Sequence, residues 1–361
     1  MRRSTAREQK VSTISRFSKR SLLTGGLVLG GTASAALLTE LKHRRALTAD
    51  PLNELLTTPL VGEPFDVVSI DGTLLHAEVF GGADGVGGSG SGPTVVLVPG
   101  WTEQIAVWTL VVRGLLERGF RVASYDLRGQ GLSGLPVDDD QRIERYGEDL
   151  DAVLAAVGAE RSDVMVAGHS MGGMSIMAWA AAFDASSRVR AAGLINTGAV
   201  GLVDASTLLP ASLPVTLRHA LGVRFVLEAA PPPAISTPVS RAVVRYAAFG
   251  PTATPAQVAM LERMDASCPP RVRRAAGTTL ASLDVAAGAK RLNVPTLVIT
   301  GDMDRLTPPI LAQQLVETLP QVADFVLLEQ TGHMTPLERP DQLVEALVRL
   351  AAGVGLTPAG S

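Results

Sequence analysis

Six short apolar runs recur along this chain: TVVLV (94–98), RVASYD (121–126), VMVAG (164–168), AAGLIN (191–196), TLVIT (296–300) and DFVLLE (324–329). A strand with one wet face alternates apolar and polar residues, whereas runs this continuous belong to strands covered on both faces. Helical patterns lie between them, over 104–118 and over 146–157, where Leu150, Val153, Leu154 and Val157 share one face. Strands alternating with helices predict an α/β fold, a mostly parallel sheet layered between helices. Ahead of the runs, FDVVSIDGTLLHAEVFG (65–81) alternates on either side of Asp71-Gly72, a hairpin pattern, and GGADGVGGSGSG (81–92) reads as a surface loop. Between Gly198 and Lys290 the rhythm breaks into a Pro-, Ala- and Leu-rich stretch with helical periods and no strand pattern. The expected organisation is a leader over 1–50, a core from 51–198 and 291–361, and a helical cap or lid over 199–290.

Composition narrows the classes. The chain has 361 residues, 46% hydrophobic and 19% charged, with a formal net charge of −3. That is globular, with no basic surplus for nucleic acid. The single cysteine, Cys268, excludes an internal disulfide and a thiolate metal cluster, and it lies in SCPP, outside every motif below. The leader differs from the rest. Arg2, Arg3, Arg7, Lys10, Arg16, Lys19 and Arg20 precede the uncharged Ser21–Thr39, and Lys42, Arg44 and Arg45 follow. A basic start and an apolar run are the parts of an export signal, and the run is long enough for a membrane-spanning helix. SKRSLL (18–23) approximates a twin-arginine signal with Lys19 in an arginine position, and Ala33-Ser34-Ala35 fits a cleavage site followed poorly by Leu37-Leu38. The expectation is export or anchoring at the cell envelope, with membrane association through residues 21–39. The alternative is a cytoplasmic protein whose disordered basic leader carries one apolar helix docked on the enzyme.

In open parallel sheets, ligands gather at the carboxyl ends of the strands. The residues just past five of the runs are Pro99-Gly100-Trp101, Asp126-Leu127-Arg128, His169-Ser170-Met171, Gly301-Asp302-Met303-Asp304 and, after Glu329, Gln330-Thr331-Gly332-His333. A serine, an acid and a histidine thus follow strands in the chain order of one known catalytic triad. Gly168-His169-Ser170-Met171-Gly172 fits G-x-S-x-G, in which flanking glycines remove Cβ atoms from a sharp strand-to-helix turn that holds the serine above the sheet edge. A serine hydroxyl needs a base. Of the five histidines, His43 is in the leader, His76 in the hairpin, His169 beside the serine as a packing neighbour, and His219 in the insertion. His333, in the loop after the last strand, is the candidate. Asp302 and Asp304 both follow TLVIT and either could orient it, while Asp126 reads as structural, bound to backbone N–H groups or to Arg128.

Five segments occur in a set order: VLVPGW, YDLRGQGLS, GHSMGG, GDMD-RLTP and GHMTPLERPDQL. With them the chain, over about residues 65–350, resembles the α/β-hydrolase-fold serine hydrolases, esterase- and lipase-like members with a lid insertion. The leader is similar to those of family members from actinobacterial cell envelopes. The resemblance implies a triad of Ser170, Asp304 and His333, with the acid placed by a G-x-x-D pattern and Pro308 downstream. It implies oxyanion donors at the backbone N–H groups of Met171 and Trp101. The family's oxyanion loop usually begins His-Gly; here it begins Pro99-Gly100, which leaves the packing of that loop open. A serine at the elbow argues against epoxide hydrolases and haloalkane dehalogenases, which use aspartate. The implied reaction is hydrolysis of a small-molecule ester through an acyl-enzyme on Ser170, with no metal or organic cofactor. Leu208, Leu209, Leu213, Val223, Phe225, Val226 and Leu227 are candidates for an apolar acyl pocket. The same residues would serve an acyltransferase, or thioester, lactone, carbon–carbon or perhydrolase chemistry, and a hydrolase-fold binding protein without turnover is a further alternative.

Overall fold

The computed structural model describes residues 38–81, 92–158, 163–210, 212–227 and 236–358. Each apolar run is a strand. After the hairpin strands β1 (Glu63–Val68) and β2 (Leu74–Phe80) come β3 (Thr94–Val98), β4 (Arg121–Tyr125), β5 (Val164–His169), β6 (Ala191–Ile195), β7 (Thr296–Gly301) and β8 (Val322–Leu328). They form one eight-stranded sheet in the order β1-β2-β4-β3-β5-β6-β7-β8. β1 and β2 pair antiparallel, as do β2 and β4, and every later pairing is parallel. This is the α/β-hydrolase arrangement.

β3, β5, β6 and β7 are buried at every position, as continuous apolar runs require. Complete burial of a Val or Leu side chain is worth roughly 1.5–3 kcal/mol, so these strands anchor the fold. β8 departs from the expectation. It is the last strand of the sheet, and Phe325 and Leu327 remain 37% and 47% exposed, because an edge strand has less cover than its apolar sequence implies.

Helices fill the connections: α1 (Leu52–Thr57), α2 (Thr109–Glu117), α3 (Ile143–Ala156) and α4 (Met171–Ala182) precede β6. α3 starts three residues before the expected Tyr146, since Ile143 and Tyr146 both turn into the core. α4 is buried from Met171 through Ala180, and Trp179 on it donates its indole N–H to Asp151 of α3 at 3.1 Å. Between β6 and β7 the described chain is helical: α5 (Val215–Leu221), α6 (Pro238–Ala248), α7 (Pro255–Ser267), α8 (Pro270–Ala281) and α9 (Ala286–Arg291). Thr237-Pro238 and Thr254-Pro255 open α6 and α7 with capping boxes and a proline in the first turn, where a missing N–H costs nothing. A single antiparallel bridge between Val200 and Asp284 closes the neck of this insertion. α10 (Pro309–Thr318) and α11 (Pro340–Gly353) complete the layers.

The chain divides into two units, Met1–Ala49 and Asp50–Ser361. In the first, residues 38–49 form a helix; the expected signal motifs and all but the last two positions of the 21–39 segment lie outside the described residues. No helix among the described residues is long and apolar enough to cross a membrane.

Candidate active site

Ser170 sits where β5 ends and α4 begins, at φ 50° and ψ −116°. A non-glycine residue in such a region costs roughly 1–3 kcal/mol and persists only when its surroundings impose it. Here they do. The Ser170 amide donates to the Ile195 carbonyl at 2.9 Å, and its own carbonyl accepts from the Thr197 hydroxyl at 2.8 Å and from the Gly173 amide at 3.0 Å. A Cβ on Gly168 would come within 2.4 Å of the Gly172 backbone, and one on Gly172 would lie 2.2 Å from the Val98 carbonyl oxygen. Both glycines are therefore required: they let strand, turn and helix close on one another, and they seat the start of α4 against the end of β3.

His333 and Asp304 meet at the neighbouring strand ends. His333 Nδ1 lies 2.8 Å from Asp304 Oδ2, with His333 5% and Asp304 2% exposed. Asp304 Oδ2 also accepts from Asn196 Nδ2 at 2.9 Å and lies 2.8 Å from the Thr307 hydroxyl, while Oδ1 accepts the Leu306 and Thr307 amides, each at 2.9 Å. Burial alone would raise this carboxyl; the adjoining His333, then Asn196 and the Thr307 amide, hold it below its ordinary value. Asp302, the other aspartate after TLVIT, turns away and accepts the Thr331 amide at 3.1 Å. Asn196, at φ 46°, also donates to the Gly332 carbonyl at 3.1 Å, so one residue after β6 ties the acid to the histidine loop.

The histidine loop is clamped to the insertion. The His333 amide donates to the Ala248 carbonyl, at the end of α6, at 2.8 Å. Glu338 accepts the Gly250 amide at 2.7 Å and the Gly332 amide at 3.0 Å, and burial pushes its carboxyl up despite these amides.

Two further groups correct the sequence reading. His169 does more than pack beside the turn: fully buried, it places Nε2 2.8 Å from the His333 carbonyl oxygen, and its ring lies 4.8 Å from that of His333, centroid to centroid. The residue before the serine thus touches the candidate base. His169 Nδ1 lies 2.8 Å from Glu103 Oε1, a close contact outside hydrogen-bond alignment. Glu103 Oε2 accepts the Gly100 amide, which answers how a loop beginning Pro-Gly is held. That loop is a tight turn, with the Glu103 amide donating to the Gly100 carbonyl at 3.2 Å and Thr102 at φ 63°. Trp101, within it, donates its indole N–H to the Arg273 carbonyl of α8 at 3.2 Å. Met171 is the first residue of α4, where an amide has no partner within the helix. Asp126 is structural as expected, accepting the Ile105 and Leu132 amides at 2.8 Å, but Arg128 pairs with Asp149 and Asp71 instead. Leu208, Leu209, Leu213 and Val223 are half-buried in the insertion, and the side chains at 225–227 lie outside those described.

Asn196, Thr307, Glu103 and Glu338 escape a reading of the sequence alone. Glu338 and Thr307 lie inside the five motif segments, and Asn196 ends a strand run; Glu103 carries no signal beyond its closeness to Pro99-Gly100-Trp101.

A family model described as alpha/beta hydrolase fold matches residues 93–340. The chain belongs to the α/β-hydrolase family. It is 28% identical over 263 residues to a protein named putative carbamate hydrolase RutD from Variovorax paradoxus, covering 72% of this chain and 89% of that one. It is 24% identical over 261 residues to Lipase 1 of Psychrobacter immobilis, covering 72% and 76%. Among solved structures, esterase RhEst1 from Rhodococcus sp. ECU1013 superposes with a TM-score of 0.65 at 21% identity, over 81% of this chain and all 100% of that one. The chain is an esterase- and lipase-like hydrolase of this fold.

Proposed function

We propose that this hydrolase cleaves carboxylic esters through an acyl-enzyme on Ser170. The observation that carries the reading is the buried Asp304–His333 pair in contact with the residue preceding a serine held at positive φ. With Asp304 accepting from Nδ1–H, His333 keeps Nε2 free to take a proton. Ser170 Oγ attacks the acyl carbon and its proton passes to His333; the carbonyl π electrons move to oxygen, where the amides of Met171 and Trp101 receive the charge. Collapse of that intermediate expels the alkoxide, which takes the proton from His333. Water repeats the sequence and releases the acid. In this reading the insertion is a lid, which its contacts with Trp101, through Arg273, and with His333, through Ala248, support. Its half-buried leucines favour an apolar acyl group. The relative named as a carbamate hydrolase motivates a second substrate class, since the same attack on a carbamate carbonyl would release an amine.

The test is hydrolysis of nitrophenyl esters of two to sixteen carbons, and of a nitrophenyl carbamate, by the wild type and Ser170→Ala. Wild-type turnover of a subset, reduced roughly 10⁴–10⁶-fold in the variant, is expected. Equal activity of the two proteins refutes Ser170 as nucleophile, and turnover of the carbamate alone replaces the ester reading.

A further inference from the structure

Behind the Asp304–His333 pair lies a second histidine–carboxylate pair that the hydrolytic reading does not use. Glu103 is 2% exposed and His169 is fully buried, so both are out of reach of solvent counter-ions. Both nitrogens of the His169 ring face oxygens that can accept: Nδ1 the Glu103 carboxylate, Nε2 the carbonyl of His333, each at 2.8 Å. A neutral imidazole carries one N–H and one lone pair, and a bare nitrogen this close to either oxygen repels it. Glu103 also accepts the Gly100 amide, and an amide donor favours the ionised carboxylate. We propose that His169 and Glu103 are a buried imidazolium–carboxylate pair that positions the oxyanion loop, the nucleophile elbow and the backbone of His333 together, and that places a fixed positive charge beside the His333 ring.

The geometry assigns each half a job. Glu103 holds the amide of Gly100 and, through it, the turn that carries Trp101. His169 reaches across to the carbonyl of His333 and, as the last residue of β5, is joined directly to Ser170 at the elbow. The net charge of the pair is zero, but its positive member is the one whose ring centroid lies 4.8 Å from that of His333, the two rings tilted by 52°, with Glu103 at Nδ1 and the His333 backbone at Nε2. Burial opposes charging His169, and the Glu103 carboxylate, with smaller help from the His333 carbonyl and Asp304, outweighs it and raises the ring above its ordinary value. The charged or titratable groups around His333 are Asp304 from the end of β7, His169 from the end of β5, and Glu338, which reaches the loop through the Gly332 amide; the segment Ala248–Gly250 contributes no charged side chain. Around His169 they are Glu103, His333 and Asp304, with the Trp108 ring set edge-on at 6.4 Å. Both residues are positioning residues: neither is placed on the reacting atoms.

Because this rests on the serine-hydrolase reading, the test has one arm that needs no turnover. Glu103→Gln is isosteric: its carbonyl oxygen can still accept from Gly100, and its NH₂ can donate to a neutral His169 that still donates to His333. Every contact is retained and both charges are lost. With the nearer positive charge gone, protonation of the second ring is easier, and the acidic limb of the kcat/KM profile is expected to move up by about half to one pH unit. A pair that serves only as packing would leave the limb in place, and that result overturns the proposal. The second arm is nitrogen-15 NMR of histidine-labelled full-length chain, with His169 assigned by its absence in His169→Gln. Two N–H-type ring nitrogens at pH 7 are expected. One bare nitrogen would put the shared proton on Glu103 and refute the ion pair, even if Glu103→Gln fails to fold. If the wild type hydrolyses no ester or carbamate, the functional reading falls while the NMR outcome still decides the charge state.

Discussion

At Asp304 the two carboxylate oxygens do different work. Oδ1 is committed to the amides of Leu306 and Thr307, which fix the carboxylate plane, and Oδ2 takes Asn196 and His333. An amide in this place satisfies one set only. Asp304→Asn keeps its oxygen for the two backbone amides and turns NH₂ toward His333 Nδ1, so the ring must present a lone pair there and carry its hydrogen on Nε2. That tautomer cannot accept the Ser170 proton. The expected loss is about 10³–10⁴-fold in kcat with little change in KM, measured by steady-state hydrolysis of the preferred ester. An unchanged kcat would remove Asp304 from the proposed triad. The same reasoning shows why Asp302, two positions away, is no substitute: it is engaged with the Thr331 amide.

The elbow is a property of an element pair. β3 and α4 touch through backbone, and the absent Cβ of Gly172 is what allows it. Gly172→Ala puts a methyl group 2.2 Å from the Val98 carbonyl oxygen, inside any tolerable contact, so α4 must withdraw from β3 and carry Met171 away from Trp101. The expected outcome is a loss of at least about 2 kcal/mol of stability in denaturant unfolding, together with most of the hydrolytic activity. Gly353, the last residue of α11, has open space for 4 Å around the position a methyl group would take, and it serves as the control. Gly353→Ala is expected to leave activity intact and stability within about 1 kcal/mol of wild type, because a helical glycine costs that much relative to alanine. Equal effects of the two substitutions would disprove the close approach of β3 and α4.

For the molecule as a whole, the buried ionisable groups set how stability follows pH. Asp304 is held below its unfolded value, so it contributes stability that is present above about pH 3.9 and lost as pH falls through its folded value. His169 is raised, so its contribution is complete below about pH 6.5 and lost as pH rises through its folded value. Glu338 is raised as well; its contribution is complete below about pH 4.3 and fades as pH climbs through its folded value. Unfolding free energy measured from pH 4 to pH 9 should therefore decline on the alkaline side for the wild type. Glu103→Gln, in which His169 no longer gains a proton on folding, should lose the His169 share of that decline and keep the Glu338 share, and a slope equal to wild type would exclude His169 as a source.

Much of this was legible in local sequence. Continuous apolar runs identify the buried strands because a side chain with cover on both faces has no reason to be polar. Gly168 and Gly172 identify the elbow because a sharp turn leaves no room for Cβ atoms. Placement after a strand separates Ser170 and His333 from other serines and histidines, since parallel strands deliver their carboxyl ends to one side. What tertiary structure alone decided is which of these groups touch. The motif resemblance already singles out Asp304 over Asp302, but its other partners, Asn196 and the Thr307 amide, depend on how one turn faces the next strand end. The pairing of Glu103 with His169 joins residues 66 positions apart through the alignment of β3 with β5. The exposure of β8 follows from its place at the sheet's edge, which strand order sets and composition does not. Periodicity acts within a single element, whereas a partner across the sheet is fixed only once register and layer packing have brought distant residues together.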